Sequence, residues 1–513
     1  MYRDQKIYIA KNGDGEEITM NPSMANRHGL IAGATGTGKT VTLKVMAESF
    51  SAMGVPVFVS DVKGDLAGCC LPGKESDDMK ERINRFGLSE TDFSFKGYPV
   101  AFWDIYGKKG IQLRTTISEM GPLLLSRIMS LNETQSEILN VVFKIADDEG
   151  LLLIDTKDLK AMLNYVSENN KSYEAEYGKM SGVSISAIIR SVVSLETAGG
   201  DMFFGEPAVN ITDMFALSDG KGVINILDST SLINDGVLYS TFLLYMMSEL
   251  FETLPEVGDM DKPKMVFFFD EAHLLFSGAS KAFLDKIEQV VKLIRSKGVG
   301  IYFITQNPKD IPGGVLAQLG NKVQHGLHAY TPAEQKGIKA AAEGFRENPQ
   351  FDTQEAIKEL GTGEAVISFL DEKGVPGIAQ RVFILPPESL MGSIDDTERD
   401  RRIKENILYS KYANATDPDS AYEFLLRKGL EKEEAAENEK QMAAQSKRAS
   451  KEKEAQTRQA KRAAKSLGTT VAGTVGREVG KSVGKSFGSF GKTLGGNVGA
   501  SLGRGILSTL FKM

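Results

Sequence analysis

Eight consecutive residues, Gly33-Ala34-Thr35-Gly36-Thr37-Gly38-Lys39-Thr40, fit G-x-x-x-x-G-K-[ST], the spacing of a phosphate-binding loop. Glycines let a backbone turn its N–H groups inward around a β-phosphate. Lys39 is then placed to reach the β- and γ-phosphates, and the Thr40 hydroxyl to ligate Mg²⁺. The stretch Gly33, Ala34, Thr35, Gly36, Thr37, Gly38, Lys39, Thr40 and Val41 is the expected nucleotide-binding set. An apolar run, Leu30-Ile31-Ala32, leads in, and a helix-like segment from Val41 to Phe50 leads out. That context puts the phosphates at a helix N-terminus, where the dipole favours an anion.

A second group of residues supplies hydrolytic chemistry. Asp270-Glu271 closes the apolar run Lys264-Met265-Val266-Phe267-Phe268-Phe269 in the manner of a Walker B element. A buried strand of this kind delivers one carboxylate to a Mg²⁺-bound water and the next to the attacking water. Asp270 is therefore assigned to the metal, through water, and Glu271 to the general base. Thr305-Gln306 closes the next apolar run, Gly300-Ile301-Tyr302-Phe303-Ile304. Its amide can hold the attacking water or sense the γ-phosphate. With these residues the expected cofactors become ATP and Mg²⁺, and the expected reaction ATP hydrolysis.

Weaker candidates surround that set. Asp61-Val62-Lys63-Gly64-Asp65 follows the run Val55–Val59 and faces the same edge, so Asp61 or Lys63 is a candidate for a supporting role. Arg295, just before Gly300–Ile304, reads either as a solvated helix-end residue or as a guanidinium donated to a neighbouring subunit. Arg381 competes with it. His273 reads as a packing or coupling residue, and His28, just before the first strand, as a candidate neighbour of the nucleotide. His325 and His328 have no partner pattern for a metal. Trp103 and Phe267–Phe269 are expected in the core.

The elements that must position these residues follow from apolar patterning. Lys6–Met20 reads as a hairpin turning at Asn12-Gly13-Asp14-Gly15. Strands are expected at Leu30–Ala32, Val55–Val59, Val100–Asp104, Val223–Leu227, Met265–Phe269 and Val299–Ile304, with a late pair at Ala365–Leu370 and Ile378–Leu385. Helices are expected around Val237–Leu254 and at Lys281–Lys297, the latter from its Phe283, Ile287, Val290, Ile294 spacing. Ser118–Leu217 looks mainly helical. Strands alternating with helices imply a mostly parallel sheet wound on both faces, with ligands at the strands' carboxyl ends. The expected organisation is a first part of the core with its hairpin at 1–114 and a helical insertion at 115–220. A second part of the core follows at 221–390, then polar helices at 391–465 and a Gly-rich basic tail at 466–513.

The chain has 513 residues, 41% apolar and 25% charged, ordinary for a soluble globular protein. The N-terminus lacks an apolar signal core, and no run approaches the roughly 18 apolar residues of a spanning helix. Cys69 and Cys70 are adjacent, which suits reduced thiols and makes no zinc site. The expected location is the cytoplasm. The net charge of −7 is unevenly spread: Lys440–Met513 carries 15 basic and three acidic residues, the remainder 46 basic and 65 acidic. An acidic body is no general polyanion binder, so any DNA contact there needs a local basic patch such as a pore lining.

Together the motifs resemble the HerA/FtsK group of additional-strand P-loop ATPases. The marks are Gly33–Thr40, Asp61–Asp65, Asp270-Glu271-Ala272-His273-Leu274-Leu275-Phe276 and Ile304-Thr305-Gln306-Asn307-Pro308. Asn26–Gly33, Thr116–Leu124 and Gly363–Leu370 are similar to the YjgR-type, HerA-helicase-like ATPases of bacteria, and the likeness covers roughly residues 1–425. It implies a RecA-like α/β core, ATP hydrolysis, a ring that is usually hexameric, and translocation on double-stranded DNA. Gln306 matches the group's glutamine after Walker B, and Arg295 its habit of an arginine before that strand, as a finger in trans. Only 32 residues precede Gly33, so the N-terminal β-barrel of HerA proteins proper is not expected. The rival reading is a nucleotide-gated ring scaffold, or an ATPase acting on protein or at a membrane.

Residues 475–506 repeat with period four from Val475-Gly476 to Phe487-Gly488 and then, one residue out of phase, from Gly491 to Leu502-Gly503, beside Arg477, Lys481, Lys485, Lys492 and Arg504. On a helix this gives an apolar and glycine stripe with a basic flank. Glycine costs about 1 kcal/mol per site against alanine, so an isolated helix would be poor. Three readings stand: a disordered tail, docking to a partner or a second copy, and contact with a membrane surface or DNA.

Overall fold

The computed structural model describes residues 1–466 apart from 92, 233–235, 259, 280 and 330. The opening hairpin forms from β2 (Lys6–Asn12) and β3 (Glu17–Met20), with β1 (Tyr2–Arg3) on the other edge of β2. Asn12 closes the turn, its Oδ1 accepting from Asp14 N at 3.1 Å and Glu16 N at 2.8 Å.

The remaining strands are β4 (Gly29–Ala32), β5 (Val57–Asp61), β6 (Val100–Asp104) and β7 (Ile111–Gln112). Next come β8 (Leu217–Ser218), β9 (Lys221–Gly222), β10 (Ile224–Asp228), β11 (Met265–Phe269) and β12 (Val299–Thr305). The last are β13 (Asn321–Gln324), β14 (Glu364–Ser368) and β15 (Gln380–Ile384). Among the described residues thirteen strands share one sheet, ordered β1-β2-β15-β14-β13-β4-β12-β11-β5-β10-β6-β7, with β3 on β2 and β8–β9 apart. From β13 to β7 every pairing is parallel, and from β13 back to β1 every pairing is antiparallel.

Every residue of β4, β5, β10, β11 and β12 is buried. Side chains alternate between faces, so both faces of this central block are covered. Aromatic rings fill the layers: Phe58 stacks on Phe267 at 4.8 Å and Phe268 lies 5.2 Å from Tyr302. Gly29 permits the Tyr302 ring to lie against β4, since a Cβ there would fall 2.4 Å from it.

Helix α1 (Lys39–Ala52) is buried on nearly all sides, including Lys44 and Glu48. The chain after β15 accounts for this. Glu48 accepts from Glu388 N at 2.8 Å and Ser389 N at 3.1 Å, and the Lys44 ammonium meets the Leu390 carbonyl. Polar groups are thus satisfied where a buried helix would otherwise lose water. Between β7 and β8 run α3 (Ile117–Ile128), α4 (Glu133–Asp148), α5 (Thr156–Glu168), α6 (Asn170–Tyr177) and α7 (Gly182–Leu195), after α2 (Asp77–Phe86) upstream. Capping boxes at Thr116, Asn132 and Asp155 open α3, α4 and α5.

By its contacts the chain divides after Arg427 into two units. A helix runs over Ala421–Ser466, and its described side chains from 433 to 451 are exposed. Among the described residues no helix is long and apolar enough to cross a membrane. The period-four tail pattern lies outside the described residues. Patterning missed the short strands β1, β7, β8 and β9, and also β13, α2 and the helices Pro332–Glu343 and Thr353–Glu359.

Candidate functional site

The loop from Gly33 to Gly38 leaves β4 and feeds α1. Gly33, Gly36 and Gly38 have φ of +154°, +81° and +115°, a region that L side chains rarely enter. Gly33 N donates to Thr305 O at 3.2 Å and Ala34 N to Gly326 O at 2.9 Å, which fixes the loop's root. Thr37 folds inward, its hydroxyl donating to Ala34 O at 2.7 Å. Thr35 and Gly36 form the exposed tip. Gly38 is the N-cap of α1 and offers no side-chain acceptor, so the first-turn N–H groups of Lys39, Thr40 and Val41 have no side-chain cap. An anion satisfies such groups.

Lys39 is buried and donates to Gly33 O at 2.6 Å and Ala34 O at 3.0 Å. Burial, then the Lys63 charge, lowers its pKa, while Glu271 and Asp270 act to raise it. The two Walker-type carboxylates therefore act on the phosphate-loop lysine in this fold.

Asp270 and Glu271 follow β11 directly. Tyr239 OH donates to Asp270 O at 2.7 Å, so Ser60 must donate to the Tyr239 oxygen across their 2.8 Å contact. Ser60 Oγ in turn accepts from Asp270 N at 3.1 Å. Burial pushes the Asp270 carboxyl up to about 7, against the pull of Lys63. Glu271 is buried and has φ of +47°, unusual for a residue with a Cβ. That turn aims its carboxylate at three groups: Gln306 Nε2, which donates at 3.3 Å, Lys63 Nζ at 3.6 Å, and His273 Nδ1, which stands at 3.4 Å outside hydrogen-bond geometry. Beside them a cavity of about 430 Å³ opens, lined by His273, Phe276, Ser277, Gln306 and Asp310.

The strand order explains why these groups meet. β12 lies between β4 and β11, so Gln306 emerges between the phosphate loop and Asp270-Glu271. Within Asp61–Asp65 the two candidates separate. Asp61 spends both oxygens on its own turn, accepting from Gly64 N at 2.8 Å and Leu66 N at 3.0 Å. Lys63 is the residue that reaches the site.

Arg295 is not brought to this chain's phosphate loop. It is exposed, in a 3₁₀ turn Arg295–Lys297 at the amino end of β12, about 20 Å from Gln306 by strand rise. Arg381 is paired within its own chain, to Glu364 at 3.0 Å and Glu359 at 3.5 Å. His28 is corrected. It sits at the amino end of β4, its Nδ1 accepting from Ile301 N at 3.0 Å, whereas the phosphate loop is at the carboxyl end.

His325 is the residue that patterning passed over. It follows β13, and its N–H donates to Ala32 O at 2.7 Å. It lies buried beneath the loop, where Cβ atoms on Gly33 or Gly38 would meet it at 2.5 Å and 3.4 Å. Its Nδ1 faces Glu364 O at 2.8 Å, so Nδ1 carries the proton, and Nε2 accepts from Thr42 Oγ1 at 2.8 Å. Burial lowers its pKa to about 4. Only the unexpected strand β13 places it there, so no sequence spacing marks it.

The family model described as "Helicase HerA-like C-terminal" matches residues 6–512. The chain is 21% identical over 361 residues to the DNA double-strand break repair helicase HerA of Sulfolobus acidocaldarius, covering 69% of this chain and 65% of that one. It is 28% identical over 164 residues to a probable helicase, MJECL08, of Methanocaldococcus jannaschii, covering 30% and 29% of the two. The chain thus spans somewhat less than two thirds of the length of the HerA relatives it matches. Among solved structures, the plasmid coupling protein TrwB in complex with ADP and Mg²⁺ superposes with a TM-score of 0.51 at 14% identity, covering 76% of this chain and 94% of that one. The fold is accordingly that of RecA-like P-loop ATPases.

Proposed function

The chain belongs to the helicase HerA-like C-terminal family, and from that premise we propose that it is an ATP-hydrolysing motor that translocates on double-stranded DNA. The observation that carries the reading is the meeting of Lys39, Asp270, Glu271 and Gln306 across three adjacent parallel strands.

In this reading Lys39 leaves the Gly33 and Ala34 carbonyls for the β- and γ-phosphates. The uncapped N–H groups of α1 hold the same phosphates. The Thr40 hydroxyl and, through water, Asp270 fit a magnesium ion, which when bound screens phosphate charge. Glu271 takes a proton from the attacking water, and Gln306 orients that water or reports the γ-phosphate. Arg295 acts as a finger on the site of a neighbouring subunit in a ring, which we take to be hexameric and cytoplasmic. The relatives named as DNA repair helicases support DNA as the track.

Lys39→Ala tests the site: turnover should vanish, and a purified variant with wild-type turnover would refute the assignment. Duplex DNA tests the track. Stimulated hydrolysis, with binding that weakens steeply as salt rises, is expected. Intact rings indifferent to DNA would leave the nucleotide-gated scaffold as the better reading.

A further inference from the structure

A second cavity, of about 480 Å³, opens on the far side of the phosphate loop from Glu271 and Gln306. Its wall runs from Gly38 and Val41 across the Thr362-Gly363 loop to α2, with Met79, Arg82 and Met391 among its lining. Three contacts tie this wall to the loop. Gly363 N donates to Thr37 O at 3.0 Å. A Cβ on Gly38 would meet Gly363 Cα at 3.3 Å. A Cβ on Gly363 would collide with Arg82 Nη2. The Arg82 guanidinium therefore packs on the residue that itself packs on the phosphate loop.

The charge environment of Arg82 suits an anion. Its neighbour Arg85 is engaged, with Glu81 at 3.1 Å and with the Phe383 ring at 4.7 Å. Burial, then Arg85, works against the Arg82 charge; Asp78 and Glu81, which line the same cavity, favour it, but among the described residues no carboxylate forms an ion pair with it. A half-buried cation without a counter-ion is costly in isolation. Beside it, Val41, Met79 and Met391 offer apolar surface of the kind that receives a flat ring.

We propose that this cavity seats the ribose and base of the nucleotide, and that Arg82 is a positioning residue from within the same chain that pairs with the α-phosphate. The inference rests on the phosphate-loop reading above and adds to it a cation that no motif marks. It also assigns a role to α2, which the hydrolytic geometry leaves unused.

The test uses the full chain, with ADP and inorganic triphosphate as calorimetric probes. Arg82→Gln should weaken ADP about tenfold, as expected for a lost charge-assisted bond, and Arg82→Lys should recover part of the loss. Met391→Trp, which adds bulk to the apolar lining of the cavity, should weaken ADP while leaving inorganic triphosphate at wild-type affinity. The proposal is overturned if Arg82→Gln binds ADP like wild type. It is equally overturned if Met391→Trp leaves ADP unaffected or weakens both probes alike. Failure of the underlying reading looks different: Lys39→Ala would then bind both probes as wild type does.

Discussion

His325→Asn tests whether the residue beneath the phosphate loop works as a neutral hydrogen-bonding post. In the folded chain the imidazole is buried, Nδ1 donates to Glu364 O, Nε2 accepts from Thr42, and its pKa lies near 4. The unfolded value is about 6.5. The folded state thus resists a proton that the unfolded state accepts. The stability this contributes is complete above about pH 6.5 and is lost as the pH falls toward 4. From about pH 7 to about pH 5, linkage between those two pKa values removes about 2 kcal/mol. Asparagine retains polarity without titrating, and its smaller side chain costs about 1–3 kcal/mol at neutral pH through broken hydrogen bonds. His28, held near 4 in the same way, and Asp61 and Asp270, held high, are present in both proteins and cancel in the difference. Urea unfolding of both proteins at the two pH values should therefore show the stability gap shrink by about 2 kcal/mol on acidification. A gap that is unchanged, or that widens as the pH falls, would refute the neutral-post argument.

Other perturbations separate the roles at the site. Glu271→Gln should keep ATP affinity yet lose at least about 10² in turnover, read by filter binding and phosphate release; near-normal turnover would remove Glu271 as the base. Gln306→Ala should lower kcat about 10-fold or more with KM for ATP nearly constant, and a change confined to KM would make it a ground-state binding residue instead. Phe268→Ala should cost about 3–5 kcal/mol in urea unfolding, because its ring packs against both Phe50 and Tyr302 with no exposure; a loss below about 1 kcal/mol would contradict the packing described.

The central parallel strands β4, β5, β10, β11 and β12 were legible because they are buried on both faces and read as apolar runs, as in Met265–Phe269 and Val299–Thr305. The residues proposed for the chemistry follow the ends of these strands directly, so motif and element are read together. β13 escaped because Asn321-Lys322-Val323-Gln324 has one apolar residue. Its place comes from pairing with β4 and β14 and from the Asn321 amide, which donates to Met24 O and His28 O. With β13 went His325. α2 escaped for another reason: it is strongly polar, and its value to the fold lies in Arg82 meeting a glycine far along the chain. Lys63 could be narrowed to a pair with Asp61 but not chosen, since only the folded turn shows that Asp61 is consumed by Gly64 and Leu66.

The inserted strand β12 does more than deliver Gln306. Its Thr305 carbonyl accepts from Gly33 N, at the root of the phosphate loop, and its Ile304 carbonyl accepts from Ala272 N, just past Glu271. Consecutive carbonyls of one strand end, facing opposite neighbours, thus hold both halves of the hydrolytic site. Gln306 is the next residue, and its amide donates to Glu271. In the proposed reaction, a displacement of Gln306 by a γ-phosphate or an attacking water would bear on the phosphate loop through Thr305 and on Glu271 through the Gln306 amide. Beyond Gln306 the same segment continues through Asn307-Pro308-Lys309-Asp310, where Asp310 accepts from Thr305 Oγ1 at 3.2 Å. That bond ties the cavity beside His273 to the strand end. If Gln306 senses the nucleotide as proposed, β12 is the strand that both contacts the phosphate loop and leads away from the site through Asn307–Asp310.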